Sequence, residues 1–214
     1  LILCSDTEIL DNCTRAKKLL YGGTWLNRGC FSHPDGLGEY DSTKQIFNEV
    51  KKDFSVSFLA SWYNINRPGY MLRNSVWSER DRITIPKKFY TSVKSFTNAP
   101  NPLPTGEKEV LFNSMYHICI ENYSIHNYFS EKIIDPMITE TIPIYWGCTN
   151  ITDYFNEEGL ILVNDIDDMI EKTNSLTEEY YYSKIEAIKE NKQKAIEHAT
   201  FDKKVWMAIN DNRK

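Results

Sequence analysis

Short apolar runs alternate along this chain with longer segments in which apolar residues recur at helical spacing. The short runs are rich in β-branched and aromatic residues, which is typical of strands buried in a sheet. They predict strands at residues 2–4, 54–61, 116–121, 142–146 and 160–163, with another inside 82–90. The intervals between most of these strands are long enough for the crossover helices that parallel strands need.

The intervening segments predict helices of different lengths. Asp6 and Thr177 are N-cap candidates for helices over 6–20 and 177–200, and Asp167 is the N-cap candidate of a short helix after the last strand. Further helices are predicted at 43–51, 70–80, 109–115, 130–139 and 202–209. Segments 27–42 and 97–106 carry several Gly or Pro residues and are predicted to be irregular.

Strands that alternate with helices predict an α/β fold, in which a Rossmann-like parallel sheet is covered by helices on both faces. Ligands of such sheets bind beyond the carboxyl ends of the strands. The polar or small residues at that edge are predicted to be Ser61, Glu121, Asn122, Trp146 and Gly147. The sequence contains neither G-x-G-x-x-G nor a Walker motif, so no motif supports NAD or ATP binding.

Composition narrows the class of protein further. The 214 residues carry a net charge of −5, which argues against a nucleic-acid partner because duplex binders present a basic face. No run of eighteen apolar residues occurs, so no membrane span is expected. The chain begins with Leu1 and has no basic segment before an apolar one, so we expect no signal peptide and interpret the sequence as part of a longer polypeptide.

The cysteines and the glycosylation sequons bear on the compartment. The five cysteines are widely spaced and form no CxxC pair, which favours a reduced compartment and disfavours zinc. Sequons occur at Asn12, Asn122 and Asn150, and a glycan on Asn122 would block the candidate site described next. A cytoplasmic location is therefore predicted.

The clearest candidate chemistry lies where residues 130–139 begin a helix. Ser130 can cap that helix, which leaves the backbone N–H groups of its first turn facing the strand ends. Lys132 adds a point charge that suits a diphosphate, and Glu131 can accept both hydrogen bonds of a ribose diol. Arg73, from the helix after strand 54–61, supplies a second cation that can bind phosphate oxygens bidentately. The pattern predicts a site for a nucleoside diphosphate whose charge is neutralised without a metal ion.

The run HICIENYSIHNYFSEKIIDPMITETIPIYWG resembles the signature of the α1,3-fucosyltransferase family. It contains a strand that ends in Glu-Asn, a Tyr-x-x-Glu-Lys turn, a helix that begins Lys-Ile-Ile-Asp, and a Pro-Ile-Tyr-Trp-Gly strand. Upstream, SFLASWYNINRPGYMLRNSVW is similar to the segment that carries the family's phosphate-binding arginine, and Arg73 occupies that place. The resemblance covers residues 54 to about 163.

This resemblance implies a GT-B architecture of two facing Rossmann-like domains, of which the C-terminal one binds GDP-fucose. Residues 1–50 are then the remnant of the N-terminal domain and the linker, and residues 51–214 form the donor-binding domain. The implied activity is the transfer of L-fucose to a glycan hydroxyl with inversion, and it needs no metal ion or other cofactor. Glu131, Lys132 and Arg73 are the expected catalytic residues. The residues expected to bind the donor are Asn122, Tyr128, Ser130, Glu131, Lys132, Arg73 and Glu121.

Two departures from the family pattern keep alternatives open. Phe129-Ser130 stands where the family has Val-Thr, and Ser preserves the cap. No carboxylate of residues 1–50 matches the family's general base, which belongs to the N-terminal domain. One alternative is therefore a nucleotide-sugar-binding module of a multidomain protein, and another is a transferase that uses a different nucleotide sugar. His117 is interpreted as a core residue, and Asp165-x-Asp167 as a helix start rather than a metal site.

Overall fold

The computed structural model describes residues 2–20, 22–24, 26, 51–61, 66–92, 101–104, 108–199 and 201–210. The predicted loop 27–42 lies outside these residues, as do all of the predicted helix 43–51 except its last position and much of segment 97–106. Within the described part, no helix has the length and apolar character needed to cross a lipid bilayer.

Among the described residues, seven strands form two parallel sheets. In chain order they are β1 Ile2–Cys4, β2 Ala16–Lys18, β3 Asp53–Ala60, β4 Lys87–Thr91, β5 Ser114–Ile120, β6 Ile142–Trp146 and β7 Ile161–Leu162. β1 pairs with β2, and the main sheet has the order β4-β3-β5-β6-β7. From β3 the chain winds first towards β4 and then, from β5 onward, towards the other edge. The strand order therefore reverses between β3 and β5, where ligands of open α/β sheets bind.

Helices alternate with the strands along the chain. They are α1 Thr7–Asn12, α2 Pro68–Ser78, α3 Glu131–Ile138, α4 Ile166–Asn174, α5 Glu178–Ser183, α6 Ile185–Ala199 and α7 Phe201–Asn210. Short 3₁₀ helices lie at Arg80–Arg82, Lys108–Asn113, Ile151–Asp153 and Glu157–Gly159. The strand and helix pattern confirms the predicted α/β fold with a parallel sheet.

The sheet separates two apolar cores, as its alternating side chains require. Ile118 and Ile120 of β5 pack with residues of α2, α4 and α5 on one face. Cys119, between them, packs with residues of α3 and α6 on the other face. Both faces are buried, which explains why β5 is an almost continuous apolar run rather than an alternating one.

The predicted helix over residues 6–20 is too long. Asp6 caps α1 through a hydrogen bond from the Ile9 backbone N–H, 3.0 Å away, as predicted, but α1 ends at Asn12. Residues 16–18 instead form β2, which pairs in register with β1 from Ile2↔Ala16 to Cys4↔Lys18. A neighbouring strand edge outweighs helical spacing here, because helix propensity is a weak prior that tertiary context overrides.

Three other helix predictions also change. Segment 109–115 contains a 3₁₀ helix that ends at Asn113 and the first two residues of β5. Thr177 is an N-cap as predicted, but segment 177–200 divides into α5 and α6 at Lys184, which leaves the helical region. Tyr181 of α5 donates its hydroxyl to the Glu140 backbone carbonyl at 2.7 Å, which fixes α5 against the sheet. Asp165 caps α4 in place of Asp167, since it accepts from the Asp168 N–H at 2.9 Å.

Candidate functional site

A buried carboxylate shapes the loop between β5 and α3. Glu121, which is fully buried, accepts hydrogen bonds from the Ser130 backbone N–H at 2.8 Å and the Ser130 hydroxyl at 2.7 Å. Burial raises the pKa of Glu121, while Lys132 and the two Ser130 bonds counter that rise. These two bonds hold the start of α3 beside the carboxyl end of β5.

Two glycines allow the backbone to pack closely at this edge. A Cβ on Gly69 would lie 1.7 Å from the Glu121 carbonyl oxygen, and Gly69 donates its N–H to the Asn122 carbonyl at 3.1 Å. A Cβ on Gly147 would lie 2.5 Å from the Glu121 side chain. Any larger residue at either position would push α2 or the end of β6 away from the turn after β5.

The 122–130 loop is also tied to the loop after β6. Asn127 has a φ of 58° and donates its N–H to the Asn150 side chain at 2.8 Å. The Asn150 amide returns a hydrogen bond to the Asn127 side chain at 3.0 Å, and the Tyr154 hydroxyl donates to the same oxygen. The Asn150 sequon therefore uses its amide in the fold, and a glycan there would break these contacts.

Lys132 lies between two carboxylates. Its Nζ is 3.1 Å from Glu131 Oε1 and 3.8 Å from Glu121 Oε2. Burial acts to lower the pKa of Lys132, but the two carboxylates outweigh it and raise that pKa. Burial likewise acts to raise the pKa of Glu131, but Lys132 and Lys108 bring it below its usual value. Both side chains are thus held in their charged forms.

Arg73 is buried in α2 and anchored to the end of β5. Its Nε and Nη2 donate to the Ile120 carbonyl at 3.1 and 2.9 Å, and Nη2 also donates to Asn122 Oδ1 at 2.7 Å. The guanidinium lies 4.5 Å from the centre of the Tyr70 ring. The Nε–Nη2 edge, which could have bound phosphate oxygens bidentately, is therefore engaged by protein acceptors. Burial lowers the pKa of Arg73, yet a guanidinium stays charged in proteins.

A cavity of about 340 Å³ opens between the carboxyl ends of β3 and β5 and the first turns of α3. It lies where the strand order reverses, as predicted for this fold class. Its lining combines apolar side chains of the sheet with several charged or amide groups. These polar groups are Arg73, Lys108, Asn122, Glu131, Lys132 and Asp135.

The predicted site residues divide into two sets. Arg73, Asn122, Glu131 and Lys132 are brought together around the cavity. Glu121, Tyr128 and Ser130 are not among the residues that line it. Glu121 and Ser130 are bonded to each other and hold the start of α3 in place, and the assignment of all three residues to the donor stays a prediction.

Two lining residues did not emerge from the sequence. Asp135 lies one helical turn after Glu131, and that i, i+4 spacing on one helix face was the available signal. Lys108 begins the 3₁₀ helix before β5, and its Nζ lies 3.8 Å from Asp135 Oδ2. Nothing in the sequence links these two positions, because they meet only in the folded chain.

His117 is a core residue, as interpreted from the sequence, although it borders the cavity. Its Nδ1 is hydrogen-bonded to the Ser57 hydroxyl at 2.7 Å, and its ring packs edge-on against Phe112. Burial, with a smaller effect of Lys108, lowers the pKa of His117 to about 3. The imidazole is therefore neutral at physiological pH.

Comparison with known proteins finds fucosyltransferases similar to this chain. The chain is 32% identical over 116 residues to the α-(1,3)-fucosyltransferase FucT of Helicobacter pylori. A shorter match, 40% identical over 48 residues, is to a candidate fucosyltransferase of Acanthamoeba polyphaga mimivirus. A crystal structure of an α1,3-fucosyltransferase with GDP superposes with a TM-score of 0.51 at 25% identity. Over about half of its length, this chain is similar in sequence to an α1,3-fucosyltransferase.

The extent of the fucosyltransferase match is limited. The sequence match covers 54% of this chain but 22% of the H. pylori protein. The structural match covers 80% of this chain but 49% of the solved fucosyltransferase chain. No protein-family model matches the sequence. The resemblance drawn from the sequence is confirmed. The limits of residues 1–50 and 51–214 as domains stay a prediction.

Proposed function

We propose that this chain is the donor-binding part of a glycosyltransferase that moves L-fucose from GDP-fucose to a glycan hydroxyl with inversion. The observation that carries the proposal is the cavity at the carboxyl edge of the sheet, where Lys132 and Arg73 stand beside the N-terminus of α3. Homology to α1,3-fucosyltransferases supports the transferred sugar, and the crystal structure of one such relative with GDP supports the nucleotide.

The proposed chemistry is a single displacement at the anomeric carbon. The acceptor oxygen forms a bond to that carbon as the bond to the β-phosphate oxygen breaks, and the acceptor proton passes to a base. Charge develops on the departing GDP, and the positive charges of Lys132 and Arg73 stabilise it. The first-turn N–H groups of α3 add further donors for phosphate oxygens. Glu131 is assigned to the ribose hydroxyls.

A second candidate function rests on the state of the carboxylates in the cavity. Glu131 is paired with Lys132 at 3.1 Å, and Asp135 lies 3.8 Å from Lys108. The lowered pKa of Glu131 makes it a poor base, and Asp135 is already engaged by Thr24 and Lys108, so neither is assigned the acceptor proton. The general base then comes from another part of the polypeptide. If no such part exists, the chain is a nucleotide-sugar-binding module.

A transfer assay on this chain separates the two functions. Radiolabelled GDP-fucose is supplied with a panel of glycans, and both transfer and donor hydrolysis are measured alongside GDP binding by calorimetry. Turnover with a glycan supports the transferase. Binding without turnover supports the module, and absence of GDP binding contradicts both.

The identity of the nucleotide sugar is tested by thermal shift with GDP, UDP, ADP and their sugars. A ligand present at one hundred times its dissociation constant should add about 2.7 kcal/mol to the free energy of unfolding. We expect the largest shift with GDP-fucose. A larger shift with a UDP-sugar would identify the alternative donor class.

No metal requirement is proposed, because the diphosphate charge is assigned to Lys132 and Arg73. No group of His, Cys, Asp or Glu side chains suited to a metal ion is found in the part of the chain that the structure describes. We expect GDP affinity to be the same with EDTA as with manganese. An affinity that collapses in the chelator and returns with manganese would contradict this assignment.

A further inference from the structure

A second cavity shares no described lining residue with the one assigned to the nucleotide. Its volume is about 340 Å³, and it opens between the end of β2, the loop after β6 and α7. Its lining consists of Lys18, Leu19, Leu20, Tyr154, Lys204 and Ala208. Two lysines therefore share a pocket whose other described walls are apolar or aromatic, and the reaction proposed above uses neither of them.

Lys204 brings a half-buried ammonium group to this cavity. Its Nζ lies 3.4 Å from the Leu20 carbonyl oxygen and 3.3 Å from that of Gly22, which are long hydrogen-bond distances to neutral acceptors. Burial lowers the pKa of Lys204 to about 8, and no carboxylate of the described residues counters that effect. A cation in this setting keeps part of its desolvation cost, which an added anion would offset.

Lys18 adds a second cation from the end of β2. Its Nζ lies 4.8 Å from the centre of the Tyr154 ring, and in the part of the chain that the structure describes it has neither a carboxylate partner nor a hydrogen-bond acceptor. Its three N–H donors therefore remain for solvent or a ligand. The Tyr154 ring packs against Phe129 and His198, which fixes the surface over which Lys18 lies.

We propose that this cavity binds an amphiphilic anion, a molecule that joins one carboxylate or phosphate group to a small apolar body. The acidic group would lie between Lys18 and Lys204, and the apolar body would contact the leucine and alanine side chains of the lining. Hydrogen bonds between an ammonium and an anion are among the strong ones in proteins. Apolar walls with a few charged groups are typical of small-molecule sites, and this volume is near the lower end of their range. The site does not rest on the proposed function.

Fluorescence titration with anilinonaphthalene sulfonate tests the site, because this small aromatic anion becomes fluorescent when it leaves water. We expect the chain to bind the probe, and octyl phosphate or octanoate to displace it while saturating GDP does not. Stronger competition by octyl phosphate identifies a phosphate ligand, and stronger competition by octanoate identifies a carboxylate. Probe binding that GDP abolishes, or that neither octyl compound reduces, would overturn the proposal.

Lysine variants assign the probe to this cavity. Lys204→Met removes the half-buried cation and should weaken probe binding about tenfold, the value of one hydrogen bond to a charged group. Lys18→Met should weaken it about threefold, because this side chain is exposed and its charge is screened. Lys17→Met is the matched control, since alternation places Lys17 on the other face of β2 and it does not line the cavity. Unchanged binding in both Lys18→Met and Lys204→Met, or an equal loss in Lys17→Met, would overturn the proposal.

The exposed position of Lys18 guards against misfolding of Lys204→Met, since an exposed side chain can be replaced with little effect on stability. GDP affinity separates this inference from the proposed function, and all three variants should bind GDP as the wild-type chain does. If the wild-type chain binds no GDP but binds the probe through Lys18 and Lys204, the proposed function fails and this inference stands. If it binds GDP while neither lysine affects the probe, only the inference fails.

Discussion

The two ends of the main sheet carry similar charged residues in different settings. At the carboxyl end, Lys132 lies between Glu131 and Glu121 and borders a cavity. At the amino end, Lys192 is paired with Glu140 at 2.7 Å, and Lys52 lies nearby. Both ends hold buried or half-buried lysines beside carboxylates. Residue type alone therefore does not separate a binding site from a structural contact.

The hydrogen-bond and ion-pair partners of Lys52 and Lys132 do distinguish the two settings. Lys52 Nζ donates to the Phe112 backbone carbonyl at 2.5 Å and to the Thr141 hydroxyl at 2.7 Å. These bonds link the segments that lead into β3, β5 and β6. Burial lowers the pKa of Lys52 to about 7. The pKa of Lys132 is raised instead, because two carboxylates outweigh its burial. Lys52 therefore links segments of the chain through hydrogen bonds, whereas Lys132 stays positively charged beside the cavity.

Arg73 combines both roles and should give the largest effect. It ties α2 to the end of β5 and also lines the cavity. We expect Arg73→Ala to lower the free energy of unfolding by about 3 kcal/mol, because the buried Ile120 carbonyl and the Asn122 side chain lose a charged donor. Urea unfolding measures this, with Arg82→Ala on the exposed surface as the control. A loss below about 0.5 kcal/mol would show that the Arg73 bonds do not support the fold.

Lys132→Ala should separate binding from stability. We expect GDP affinity to fall about tenfold or more, or about 1.4 kcal/mol, because a diphosphate loses a cation. The free energy of unfolding should fall by less than in Arg73→Ala, since Lys132 Nζ is 3.1 Å from the partly exposed Glu131 but 3.8 Å from the buried Glu121. Calorimetry and urea unfolding together decide the point. Wild-type GDP affinity in this variant would remove Lys132 from the site.

Lys52→Met should leave GDP affinity unchanged. We expect only a small net change in stability near pH 7, because the two lost hydrogen bonds are offset by the charge that no longer has to be buried. A GDP affinity that falls as far as in Lys132→Ala would erase the distinction between the two ends of the sheet.

The pH dependence of stability gives a second view of Lys52. The pKa of Lys52 falls from 10.5 to about 7 on folding, so the unfolded state binds more protons between these values. The free energy of unfolding should therefore rise as the pH increases above 7, by up to about 1.4 kcal/mol per pH unit from this group. Lys52→Met should flatten the profile between pH 7 and 9. Identical slopes in the two proteins would contradict the pKa shift.

Lys189→Ala should give the smallest effect. Lys189 lies 3.2 Å from Glu186 on α6, and both side chains are largely exposed. We expect changes within about 0.5 kcal/mol in stability and none in GDP affinity, which makes this variant the charge-matched control for Lys132→Ala. A drop in GDP affinity here would mean that overall charge, rather than the cavity, governs binding.

Much of the main sheet could be predicted from local pattern, because its strands are buried on both faces. β6 has the predicted bounds, and β3 and β5 differ by one or two residues. The failures lie where distant contacts decide. Residues 16–18 join β1, and Lys184 leaves the helical region between α5 and α6. The partner of residues 16–18 is β1, and the contact beside Lys184 joins Tyr181 to Glu140. Neither contact is visible in a window of neighbouring residues.

The site shows the same division. That Glu131, Lys132 and Asn122 line one cavity could be predicted, because they are close in sequence and follow one strand. The buried role of Glu121 could not, since it depends on Ser130 folding back onto it at 2.7 Å. Lys108 and Asp135 were missed because they lie on opposite sides of β5 in the sequence and meet only in the cavity wall.

The opening beside the first turn of α3 should bind the diphosphate of a sugar nucleotide. A crystal of this chain soaked with GDP tests this directly, because the electron-dense phosphates can be located. We expect phosphate oxygens within hydrogen-bond distance of Lys132 Nζ and of the N–H groups that follow Ser130. Phosphates bound away from α3, or an empty cavity at saturating GDP, would contradict the assignment of this site.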